Sequence, residues 1–218
     1  MDLLNVPALS RASQEYRRQR AALLSEEQEL IDHVERVAAL RRSLPAGPAI
    51  EDELFTKTDG TRTRLSALFE DGDVLLAYNM MYAPDDDVPC RMCTRWVDGF
   101  NALAPVVRDS VPFAIFSRQS PEGLAALAQS RGWTIPLYSA PQSYSREVGA
   151  ETAEGDQQPL VTVFRKDRSG KISLWYSQFA GFPDEAERGI DLLNPLWGLL
   201  DLLPMGRGEY YPPPVVLT

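Results

Sequence analysis

Apolar positions along the chain follow two rhythms. From Ser10 to Leu44 the sequence is polar but periodic. Leu23, Leu24, Leu30, Ile31, Val34, Val37 and Leu40 recur at helical spacing, which predicts one or two amphipathic helices. Ser25 with Gln28 three residues later has the form of a capping box and places a break near Leu24. Pro45-Ala46-Gly47-Pro48 ends this helical part. Phe55 to Phe69 then reads as a strand, an Asp59-Gly60 turn and a short helical segment around Leu65 to Phe69. Val74-Leu75-Leu76-Ala77-Tyr78 is a continuous apolar run of strand length, the pattern of a central strand buried on both faces of an α/β sheet.

After a loop from Met80 to Pro89, the segment from Cys90 or Arg91 to about Val107 sets Cys93, Trp96, Val97, Phe100 and Ala104 on one side, as a helix laid on a sheet requires. Val111 to Phe116 is a second buried strand, and Ser120 with Pro121 opens a helix through about Ser130. A βαβ unit is then complete. Residues 139 to 158 are polar and turn-rich without clear periodicity, whereas Leu160–Phe164, Asp167–Gly170 and Ile172–Tyr176 make a β-hairpin. Glu185 to Leu203 is helical in pattern, with Pro195 expected to kink or divide it. The pattern therefore predicts an α/β domain over residues 50–210, its central mixed β-sheet flanked by helices. A helical extension over 1–49 precedes it and an extended tail over 211–218 follows.

Composition changes this picture by exclusion. In 218 residues, 22 Lys and Arg stand against 31 Asp and Glu, a net charge of −9 that repels phosphate backbones and anionic lipid. Nucleic acid and membrane surfaces are not the expected partners. The first twenty residues lack an apolar stretch of signal-peptide length and no later run is long enough to span a bilayer, so the expected location is cytoplasmic. In that compartment the reducing poise disfavours structural disulfides.

That makes the two cysteines informative, because they are the only ones and stand three apart, as Cys90-Arg91-Met92-Cys93. Random placement gives this spacing in roughly 1% of chains, and a C-x-x-C beside a βαβ pattern reads as a dithiol redox motif. At i and i+3 of a first helical turn the pair lies on one face, within the separation a disulfide tolerates. Cys90, at the helix tip, meets unpaired N–H groups and the positive end of the dipole, and is the expected nucleophile. Cys93, one turn in and on the apolar side, is the expected resolving thiol. Arg91 and Arg95 favour a thiolate while Asp85, Asp86 and Asp87 disfavour it; Arg91, Arg95 and Asp98 also read as a solvated face with an Arg95–Asp98 pair. Other readings stay open: a zinc half-site completed by carboxylates or a second subunit, or cysteines without chemistry. His33, the one histidine, reads as a surface residue of the first helix.

The chain resembles the DUF899 family of bacterial thioredoxin-like proteins, and more broadly the thioredoxin superfamily, over most of its length. The resemblance is carried by Arg41-Arg42-Ser43-Leu44-Pro45, by Cys90-Arg91-Met92-Cys93-Thr94-Arg95-Trp96-Val97-Asp98-Gly99-Phe100-Asn101, and by Leu200-Asp201-Leu202-Leu203-Pro204-Met205-Gly206-Arg207-Gly208-Glu209. It implies a thioredoxin-like fold with the cysteine pair opening the first core helix. It also implies a cis-proline facing the pair, for which Pro159, directly ahead of Leu160-Val161-Thr162-Val163-Phe164, is the candidate. An ordinary trans proline starting a strand is the competing reading. Two departures stand out: family members often carry proline where this chain has Arg91, and histidine where it has Asn79.

The expected function is thiol–disulfide oxidation or reduction, with Cys90 and Cys93 catalytic, with Pro159, Trp96 and Arg91 meeting a protein or small-molecule disulfide or thiol, and with no metal or cofactor. The helical extension is expected to pack on the domain or on the partner subunit of a homodimer, and the alternative function is a non-catalytic redox-sensing or interaction module that associates through these long N-terminal helices. A thiol peroxidase is the weaker enzyme reading, since the position three before Cys90 is Asp87 where a peroxiredoxin needs threonine. No G-x-G-x-x-G or P-loop points to a nucleotide.

Overall fold

The computed structural model describes residues 7–180 and 189–216, which fall into two compact units divided after Pro45. The first holds a short helix α1 (Pro7–Ser10) and a long one, α2 (Gln14–Arg42). Ser13 caps α2 by accepting the Tyr16 N–H at 3.1 Å. The expected break at Leu24 does not occur, and the helix runs unbroken through Ser25. No glycine or proline interrupts these 29 residues. One mid-helix serine costs only about 0.5 kcal/mol, far less than ending and renucleating a helix. An Arg20–Glu27 ion pair at 2.9 Å spans the site of the expected break. None of the α2 side chains is buried, and Leu23, Leu30, Ile31, Val34 and Leu40 are exposed.

In the second unit β1 (Leu54–Lys57) and β2 (Arg62–Arg64) form a hairpin, turned where Gly60 adopts a φ of +83° that side chains rarely tolerate. A 3-10 turn at Leu65–Phe69 leads to β3 (Val74–Asn79), and α3 (Arg91–Val107) returns the chain to β4 (Phe113–Ser117). Next come α4 (Pro121–Arg131), β5 (Leu137–Ser139), α5 (Gln142–Glu147), the hairpin strands β6 (Leu160–Lys166) and β7 (Ile172–Phe179), and α6 (Pro195–Asp201). The strands make one mixed sheet in the order β2-β1-β5-β4-β3-β6-β7. β3 is parallel to β4 and antiparallel to β6, and β7 is antiparallel to β6. A βαβ unit followed by an antiparallel hairpin, in the spatial order β4-β3-β6-β7, is the thioredoxin-like arrangement.

Both faces of the sheet are covered. On one, Trp96, Val97 and Phe100 of α3 pack with Leu124 and Leu127 of α4; on the other, Tyr144 of α5 packs with Phe55, Phe116 and Phe164. Each such fully buried side chain stabilises the fold by about 1.5–3 kcal/mol. All five residues of β4 are buried, which is why it reads as a continuous apolar run. Ser120 caps α4 at 3.1 Å from the Gly123 N–H, with Pro121 at the first helical position.

Two expectations are corrected here. Pro195 does not kink a long helix; it starts α6, with the Asn194 side chain accepting the Leu196 N–H at 3.0 Å. A proline at a first helical position sacrifices no bond. Residues 185–188 of the expected helix lie outside the described residues. The Gln158–Pro159 bond is trans, since no described peptide is cis. Pro159 opens β6 through its carbonyl, which accepts the Ala180 N–H at 3.0 Å, so its missing N–H costs nothing.

α6 docks on α3 where Gly99 leaves room, since a Cβ there would lie 2.9 Å from Asn194 Nδ2. Asn194 is buried and holds the α6 cap, so it has little freedom to retreat. Gly99→Ala is expected to destabilise the protein by about 1–2 kcal/mol despite the better helix propensity of alanine. Urea unfolding monitored by tryptophan fluorescence measures this as a lowered midpoint.

Candidate functional site at the tip of α3

The site is built where β3 ends and α3 begins, at the carboxyl end of the parallel β3–β4 pair, where α/β folds place their chemistry. Between them Met80–Pro89 carries no regular structure but is tied down. Tyr82 N–H donates to Gln157 Oε1 at 2.8 Å, and its carbonyl accepts Ser117 Oγ at 2.9 Å. Gln119 Nε2 donates to the Ala83 carbonyl at 2.9 Å, and Asp86 Oδ2 accepts the Ala83 N–H at 2.6 Å. Ser117, Gln119 and Gln157 had no signal in the sequence, because polar residues that fix a loop share no periodicity.

Met81 then meets both cysteines. Its N–H donates to Cys93 Sγ at 3.5 Å, and its carbonyl accepts the Cys90 N–H at 3.2 Å. Cys90 is the N-cap of α3, its Sγ accepting the Cys93 N–H at 3.4 Å. The Cys90 carbonyl accepts the N–H and the hydroxyl of Thr94, both at 2.9 Å. The pair is thus fixed from the strand side and from the helix side.

The two thiols differ. Neither is in a disulfide; Cys90 is partly exposed and Cys93 has 1% exposure. Burial pushes the Cys93 thiol well above the ordinary range, reinforced by its hydrogen bond and charge interaction with Cys90. The nearby Tyr78 hydroxyl and the hydrogen bond from the Met81 N–H pull the other way without overcoming burial. Cys93 is therefore a neutral thiol at pH 7 whose sulfur already faces two donors.

Of the other sequence candidates, Arg91 is exposed beside Cys90, while Arg95 pairs with Asp98 at 3.3 Å. Trp96 is corrected: at 2% exposure, with its ring against Phe100 and Trp197, it belongs to the core and presents no face to a substrate. Pro159 is half-buried, next to the Asn79–Leu160 pair that closes the β3–β6 ladder. Asn79 is buried; it donates to the Leu160 carbonyl (3.3 Å) and Thr162 Oγ1 (3.2 Å) and accepts from the Tyr144 hydroxyl (3.1 Å). These bonds make it a brace between β3, β6 and α5. His33 lies on α2, its ring 3.1 Å from Arg36.

A second polar cluster lies at the ends of β4 and β5. Burial pushes the Glu151 carboxyl up, but bonds from Gln142, Arg118 and Arg146 outweigh it and hold the group below its usual range. Arg118 and Arg146 each sit 3.1 Å away. Arg118 also donates to the Ala140 carbonyl, so the cluster fastens the turn after β5 to the end of β4. Among the described residues no three His, Cys, Asp or Glu gather as a metal would need, and no helix is long and apolar enough to cross a membrane.

A family model described as "Bacterial protein of unknown function (DUF899)" matches residues 7–215. The chain belongs to the DUF899 family. A search of curated proteins gives no match. Among solved structures, this DUF899 chain is similar to a cysteine-to-serine mutant of Xanthomonas campestris peroxiredoxin Q (21% identity, 64% of this chain and 88% of that one, TM-score 0.47). It is also similar to a putative protein disulfide isomerase from Bacteroides thetaiotaomicron (24% identity, 60% and 77% covered, TM-score 0.39).

Burial couples the Cys93 proton to folding. The folded DUF899 protein keeps this proton at pH values where the unfolded chain releases it. The resulting stability is fully present below the ordinary thiol pKa and is lost as pH rises above it. Between pH 7.5 and 9.5, under reducing conditions, the wild type is expected to lose on the order of 1 kcal/mol more stability than Cys93→Ala. Urea titrations of both proteins at the two pH values measure the difference.

Proposed function

We propose that the protein is a thiol–disulfide oxidoreductase working through Cys90 and Cys93 in the cytoplasm. The observation that carries this reading is the unlike placement of two cysteines held by one residue: Cys90 at the tip of a 17-residue helix and open to one side, Cys93 buried a turn behind it. First-turn N–H groups and the helix dipole face negative charge on Cys90 Sγ favourably.

In the forward direction the Cys90 thiolate attacks one sulfur of a substrate disulfide. A Cys90–substrate disulfide forms and the second substrate sulfur leaves as a thiolate that takes a proton from water. Cys93 then gives up its proton to water and attacks Cys90 Sγ, forming the Cys90–Cys93 disulfide and releasing the remaining substrate thiolate. Two electrons have passed from the protein to the substrate, and the reverse sequence oxidises a dithiol. The Met81 N–H and the Tyr78 hydroxyl stabilise charge on Cys93 during its attack. Half-buried Pro159, in its trans form, borders the docking surface, and Arg91 meets the substrate.

The exposed apolar residues of α2 favour a second reading, in which the same pair is a redox sensor on a module that associates through its helical extension. Insulin reduction by dithiothreitol separates the two. The wild type is expected to accelerate insulin precipitation and Cys90→Ser to fall to the uncatalysed rate. Cys93→Ser is expected to accumulate a mixed disulfide seen as an added mass. Equal rates for wild type and Cys90→Ser overturn the enzyme reading.

A further inference from the structure

Beside the cysteine pair, three guanidinium groups converge with one carboxylate. Arg91, Arg95, Asp98 and Arg131 line a shallow cleft along the exposed side of α3, walled opposite by Pro212–Pro214 of the C-terminal tail. Asp98 is fully engaged. Its Oδ1 accepts from Arg131 Nε at 3.2 Å and Trp133 Nε1 at 3.0 Å, and its Oδ2 from Arg131 Nη2 at 2.5 Å and Arg95 Nη1 at 3.3 Å. One carboxylate is shared by two arginines, and the Arg91 side chain makes no ion pair or hydrogen bond among the described residues. The cleft therefore carries net positive charge in a chain whose total is −9. The three prolines of the facing wall have no N–H, so the charged donors for an anion are the arginines.

We infer that the disulfide or thiol this site takes is an anionic one, with a carboxylate near its sulfur that Arg91 and the cleft behind it receive. This rests on the thiol–disulfide reading above. Arg91 follows Cys90 directly, so a group held by its guanidinium belongs to a molecule whose sulfur is at Cys90. The cleft is small, with about 30 Å³ of open space, and it borders solvent, so a small anionic group can reach the guanidinium groups from outside. A guanidinium matches a carboxylate in geometry as well as charge. Asp85 and Asp87 on the preceding loop are exposed and line no part of the cleft, so an anion approaching along α3 meets the arginines first.

The test uses the full-length Cys93→Ser protein, which stops at the mixed disulfide, with three probes: oxidised glutathione (anionic), bis(2-hydroxyethyl) disulfide (neutral) and cystamine (cationic). Each rate is divided by that of the same disulfide with free 2-mercaptoethanol, which removes intrinsic differences between the probes. At low salt, oxidised glutathione is expected to lead cystamine by about tenfold or more, Arg91→Gln to shrink that ratio by about three- to tenfold, Arg91→Lys to restore most of it, and high salt to erase it. A change in the reactivity of Cys90 itself scales all three rates alike and cancels in the ratio. Equal normalised rates, or a ratio untouched by Arg91→Gln, overturn the anionic-substrate inference and leave the oxidoreductase reading standing. Failure of all three probes to form a mixed disulfide overturns that reading, and this inference with it.

Discussion

The main chain of Met81 holds the first turn of α3 against the end of the sheet, giving its carbonyl to the Cys90 N–H and its N–H to Cys93 Sγ. One residue thereby sets the position of both sulfurs. Were Met81 free to move, Cys90 would lose its place at the cap and Cys93 a donor on a buried sulfur. The bonds that immobilise the Met80–Pro89 loop, from Ser117, Gln119 and Gln157, serve this same constraint. Beneath it, Asn79 braces β3 to β6 and α5 through three hydrogen bonds, so the strand leading to Met81 is itself rigid.

From that fixed point the two thiols acquire unlike chemistry chiefly through burial. Cys90 stays open on one side at the positive end of a helix, while Cys93 is enclosed by the core that also contains Trp96 and Phe100. A dithiol pair needs this inequality, because an external sulfur must be met by one cysteine and the mixed disulfide opened by the other. The same burial that keeps Cys93 protonated ties its state to the stability of the fold. The arginines along α3 add a third element, a cationic border beside the open sulfur.

Much of this was legible in the sequence where burial imposes a period. Val74–Tyr78 and the stripe of Cys93, Trp96, Val97, Phe100 and Ala104 announced a buried strand and the helix laid upon it, and both stand where expected. The stripe also carried the answer on Trp96: a tryptophan in register with the core side of a helix is packed there. Where the period fails, so does the reading. β5 has three residues and α5 six, too few for periodicity to rise above the polar residues around them. Ser25 and Pro195 misled in opposite ways, since a capping pattern has no force inside a helix of strong helix formers, and a proline is as well suited to start a helix as to bend one. Tertiary contacts that fix the loop, and the trans state of Pro159, leave no local trace.

Differential alkylation of the reduced native protein reads out the unlike placement of the two sulfurs. With limiting iodoacetamide at neutral pH, and peptides quantified by mass spectrometry, Cys90 is expected to be labelled at least about a hundredfold faster than Cys93, the difference vanishing in urea. Labelling of the two at equal rates in the folded protein, or of Cys93 first, would contradict the account.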